Sequence, residues 1–143
     1  MSLKVYFASI FREIFVPGYK SLEFRAKIFT AILLAKNRQT DEDYQNLEKI
    51  VDEIYQNNKK RTRILIATVK EYVNKARTYK SLNLDSLLKE IDIDMKNSPK
   101  YAKKIDFSFL RRLISDDENE ALTQQRVYEF LVSEVKRYTQ NEK

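Results

Sequence analysis

Pro17, Gly18 and Pro99 are the only prolines and glycine in a chain of 143 residues, so the run from Tyr19 to Ser98 contains neither. Sheet-rich domains need many tight turns and rely on these residues to make them. A chain this poor in both reads as helical. With 43% hydrophobic residues it reads as folded rather than disordered. Its length suits one domain that buries a core without covalent staples.

Two further absences narrow the chemistry. There is no cysteine and no histidine, which removes disulfides, thiol nucleophiles, thiolate and imidazole metal ligands and the commonest neutral-pH acid/base. Zinc hydrolases and triad enzymes are excluded on that ground, and carboxylates, Lys and Tyr are what remains. No catalytic residue and no cofactor is expected. Uncharged runs within the helical stretches are short, such as Ile28 to Ala35 between Lys27 and Lys36, against about 20 residues for a membrane span. A cytoplasmic protein with no transmembrane segment is the expectation.

Periodicity places the elements. Leu3, Tyr6, Phe7, Ile10, Phe11, Ile14 and Phe15 recur at helical spacing and predict a helix over 3–15, ended by Val16-Pro17-Gly18. Ser21 is the expected N-cap of a second helix through Phe24, Ile28, Ile32 and Ala35. After a corner at Asn37-Arg38-Gln39, Thr40 and Asp43 stand at capping-box spacing before a helix carrying Tyr44, Leu47, Ile50, Val51, Ile54 and Tyr55. Asn57-Asn58 breaks it. A helix from about Lys59 to Tyr79 follows, and the continuation of its ILIATV run through Tyr72 and Ala76 makes that run helical rather than a strand. Leu82, Leu84, Leu87, Leu88 and Ile91 predict a shorter helix starting near Asn83 or Asp85. Ser98-Pro99 reads as an N-cap with Pro at the first helical position. From Lys100 the pattern allows one helix to Ser115 or a restart at Asp106. The last helix is expected after Thr123, presenting Val127, Phe130, Leu131, Val135 and Tyr138, with fraying beyond Thr139.

The expectation is therefore an all-α single domain, 1–143, of about seven helices with a loosely repeated hairpin. The first copy is 21–55 and the second 107–138. An apolar helix, a polar corner, and Thr or Ser with acids opening the next helix resemble the TerB-like domain of tellurite-resistance proteins. Ile28 to Tyr55 matches that outline, and Phe109 to Tyr138 resembles its partner half. The resemblance implies an all-helical module, metal binding at an Asp-Gly-Glu-like corner, and a link to DnaJ-type co-chaperones of the DjlA kind. Here the corners read Lys36-Asn37-Arg38 and Asn119-Glu120-Ala121, without the Gly. With no histidine the chain contains no His-Pro-Asp tripeptide, so it corresponds to the non-J portion of such a protein.

Charge is uneven. The middle segment, 58–113, carries most of the positive excess of a chain whose net charge is +6, notably at Lys59, Lys60, Arg61, Arg63, Lys100, Lys103, Lys104, Arg111 and Arg112. Such a run is either a solvated helix face or a surface for phosphates, on nucleic acid or anionic lipid. The acids Asp41, Glu42 and Asp43, and Asp116, Asp117, Glu118 and Glu120, open helices, where the dipole favours negative charge. They lack calcium-loop spacing, so no metal ligand is assigned. In Asp92-x-Asp94 the two acids do not share a helix face.

Function is expected to be non-enzymatic: a protein-interaction or regulatory module that presents Lys59, Lys60, Arg61 and Arg63, and Asp116, Asp117, Glu118 and Glu120, to a protein partner, its own kind included. Nucleic-acid binding through the basic middle segment is the alternative, and carboxylate binding of a divalent cation the second.

Overall fold

The computed structural model describes residues 20–140. The helix expected over 3–15 lies outside them, as do residues 141–143. Among the described residues the chain is all-α: α1 Lys20–Leu34, α2 Asp41–Ile54, α3 Lys59–Thr78, α4 Leu84–Asn97, a 3-10 turn Pro99–Lys104, α5 Phe107–Arg111 and α6 Glu118–Thr139. No strand is present among these residues. No helix among them is long and apolar enough to cross a membrane.

α1 is the centre. Its residues from Ala26 to Leu33 are all buried, together with Leu22 and Phe24, so it has no solvent face over two turns. A helix apolar all round must be surrounded. It packs chiefly against α3 and then α4, with α6 and the 3-10 turn closing around it. α2 lies mainly along α3 rather than flat against α1. The first hairpin is therefore a corner whose second arm finds another partner, because α1 has apolar surface in every direction.

Punctuation follows local chemistry. The Thr40–Asp43 capping box is formed in both directions. Gln56 and Asn57 take positive φ, 49° and 69°, where Asn is the better tolerated, and Asn58 caps α3. Asn83 caps α4.

Three expectations are corrected. Ser21 is already helical and is not an N-cap. Ser98 precedes a helix with Pro99 at its start, but that helix is a 3-10 turn and Ser98 makes no side-chain cap bond. Asp106 then caps a separate α5 through Ser108, which selects the restart over a continuous helix. The last helix begins at Glu118, not after Thr123: Asp117 accepts from the backbone N–H of Asn119 and Glu120, and Glu118 and Glu120 sit in the favourable first turn.

One residue ties the two corners together. Gln124 is fully buried. It donates to the carbonyls of Ile32 at 3.1 Å and Leu113 at 3.0 Å, and accepts from the Ser115 N–H at 2.7 Å.

Candidate anion-binding groove

The expected basic quartet does not form one patch. Lys59 is exposed but held by Asp52 at 3.0 Å; with Thr62 it depresses the Asp52 carboxyl, the Lys59 hydrogen bond contributing most. Lys60 is exposed. Arg63 lines a shallow pocket with Glu48 and Lys70. Arg61 turns elsewhere, its guanidinium 5.7 Å from the centre of the Tyr55 ring.

That ring leads to a cluster the sequence scattered. Arg25 of α1 stands 5.4 Å from the same Tyr55 ring, a cation–π arrangement that suits Arg. Arg25 also lines a groove with Lys20, Lys100, Tyr101, Lys103 and Lys104. The 3-10 turn explains the second half: three residues per turn bring Lys100 and Lys103 onto one edge, while Ala102 faces the core. Tyr101 anchors the turn by stacking on Phe24 at 4.9 Å. Lys100 and Lys104 are exposed and make no ion pair among the described residues.

The groove continues into a pocket of about 270 Å³ that shares Arg25, Lys103 and Lys104 and is otherwise lined largely by apolar side chains such as Ile28, Phe29 and Leu110. The lining also holds two acids: Glu53, which pairs with Arg112 at 2.6 Å, and Asp106, which caps α5. The Nε–H of Arg25 is buried and has no hydrogen-bond acceptor among the described residues. A buried donor left unmatched costs about 1–3 kcal/mol. The arrangement gathers positive charge on one surface, which suits an anion.

The acidic corner is put to structural use. Asp117 caps α6, and Ser115 donates to Glu120 at 3.0 Å, leaving Asp116 and Glu118 exposed. At the first corner both Asp43 oxygens accept from buried Lys36 at 2.7 Å, so an internal ammonium already occupies the carboxylate. Among the described residues no group of three or more acids is placed to hold a metal ion.

A second polar locus is internal. Lys27, 4% exposed, lies 2.9 Å from Glu90 and 2.7 Å from Asp94. Burial works against its charge, but the two carboxylates outweigh it and push its pKa up. Beside it, burial raises Glu23 despite Lys27, and Tyr72 is pushed well up, chiefly by burial. Lys27 thereby ties α1 to α4, and Tyr72 of α3 donates to Glu23 at 3.5 Å.

Comparison of the chain with protein-family models, curated proteins and solved structures returns no match. Lys100, Lys103 and Lys104 stood out in sequence as part of the basic excess. Lys20, Arg25 and Tyr101 did not, although a cation at position 25, among apolar neighbours on a core helix, was the available signal.

Proposed function

We propose that this domain is a non-catalytic binding module for nucleic acid. The observation that supports it is the convergence of Lys20 and Arg25 of α1 with Lys100, Lys103 and Lys104 of the 3-10 turn in one groove, extended through Tyr55 to Arg61. Cations from three separate stretches on one surface are the electrostatic footprint of a phosphate backbone. Tyr101 adds an aromatic ring on which a base can stack. A charge-complementary protein interface is less well supported, because Asp117 and Glu120 of its acidic half are engaged in building the α6 terminus. The TerB-like resemblance and any co-chaperone role are proposals resting on the hairpin pattern alone.

Fluorescence anisotropy with labelled single-stranded and duplex DNA and RNA tests the reading. Six cations predict a log–log salt slope of about −4 on a single strand. The double variant Lys100→Glu, Lys104→Glu should weaken binding by tenfold or more, because each removes a phosphate contact, whereas Lys59→Glu should change it by only about twofold. No binding at low salt overturns the proposal. Binding confined to an acidic protein, with the same sensitivity to the double variant, would assign the groove to a protein partner instead.

A further inference from the structure

The groove is not uniform along its length. Lys20, Lys100 and Tyr101 line its open part, whereas Arg25, Lys103 and Lys104 also line the adjoining pocket of about 270 Å³. A strand lying along the groove meets that pocket at one end.

We propose that Arg25, Lys103 and Lys104 bind the terminal phosphate of a nucleic-acid strand, a phosphate monoester, in this pocket between α1, the end of α2, the 3-10 turn and α5. The assignment rests on the nucleic-acid reading above. Three properties select a monoester over an internal diester. The pocket's remaining lining is largely apolar, with Ile28, Phe29 and Leu110 among it, so it suits the end of a chain better than a strand passing through polar surroundings. The lining's three cations outnumber its two acids, one of which is already paired with Arg112, and an excess of positive charge favours a dianion over the single charge of a diester. Arg25 adds a planar guanidinium, a group that grips phosphate oxygens in pairs. Of the two acids in the lining, Glu53 is paired with Arg112, and Asp106 accepts from Ser108 while keeping its charge.

The test compares one single-stranded oligonucleotide carrying a 5′-phosphate, a 3′-phosphate or only hydroxyl ends. At least one phosphorylated form should bind the wild type about tenfold more tightly than the hydroxyl form, as expected for a bidentate charged contact. Arg25→Lys keeps the charge but loses the fork and should abolish that preference. Lys103→Gln with Lys104→Gln should abolish it too, and Lys59→Gln should leave it intact; circular dichroism confirms each fold. A separate arm titrates inorganic phosphate and adenosine monophosphate while following the Arg25 Nε–H resonance. Equal affinity for all three oligonucleotides overturns the terminal-phosphate assignment and leaves the wider groove standing. If no oligonucleotide binds, the nucleic-acid reading falls. The resonance then decides the pocket: a saturating shift retains it as a site for free phosphate monoesters, and an unmoved resonance overturns it.

Discussion

Asp43 does three things with two oxygens. Both accept from the Lys36 ammonium at 2.7 Å, and one also accepts the Thr40 N–H at 2.8 Å, while the Asp43 N–H donates back to Thr40 Oγ1. The capping box was legible in the sequence because it is a local spacing, Thr at one position and an acid three later. The Lys36 contact was not, since nothing in a seven-residue separation says that a corner folds the ammonium back over the helix start. The two layers separate by mutation. Thr40→Ala removes one cap and should cost about 1 kcal/mol. Asp43→Ala also strands a lysine that is only 8% exposed, and removal of one partner of a buried pair should cost about 3 kcal/mol or more. Urea denaturation of the two variants gives the comparison; equal losses would show that the Lys36 pair contributes nothing.

Between elements, α4 and α6 are joined by a carboxyl pair. Asp92 of α4 accepts from Tyr138 Oη at 2.5 Å; the largely buried Glu134 of α6 beside it and Tyr138 hold the Asp92 carboxyl below its usual range, while Arg137 and Lys96 supply the nearby positive charge. Glu134 is pushed up to about 7, first by burial and then by its bond to Asp92, and Tyr138 rises to about 12, first through its bond to Asp92. The signs are opposite for the two groups. A raised acid binds its proton more tightly when folded, so stability from Glu134 is present below the usual glutamate range and is lost as pH rises through about 7. A depressed acid such as Asp92 loses its contribution as pH falls through the aspartate range. The melting temperature should therefore fall between pH 5.5 and 8, and Glu134→Gln should flatten that fall; a parallel profile in the variant would refute the assignment. Asp92-x-Asp94 was correctly read as two acids on different faces, for Asp94 turns to Lys27 of α1. The early start of α6 was missed because its first turn, Glu118 to Ala121, contains almost no apolar residue to register a period, and its cap outweighs that silence.

Across the whole molecule, the class of fold and the first corner were legible; the corner expected at Asn119-Glu120-Ala121 lies inside α6, and the partners of each helix were not legible. Periodicity reports that a face is buried, never against what, and α1 has no single face to report. The candidate groove fell into the same gap: the lysines of the 3-10 turn stood out in the basic excess, while Arg25, which shares their groove, was not singled out. Gln124 shows how these long-range choices are fixed. Its side chain reads the end of α1 and the turn before α6 together, so Gln124→Leu should leave two carbonyls and an N–H unmatched and cost about 3 kcal/mol. The expected signature is a lower urea midpoint with an unchanged slope; a midpoint within error of wild type would mean the corners hold without it. The burial of α1 also carries an implication for how such a protein can change over generations. Of its fifteen residues only Lys20, Ser21, Glu23, Arg25 and Leu34 escape burial, and three of these, Lys20, Ser21 and Arg25, line the groove. The helix least able to vary keeps its latitude where it borders the groove, so a lineage could alter that surface through α1 without disturbing the core that α1 organises.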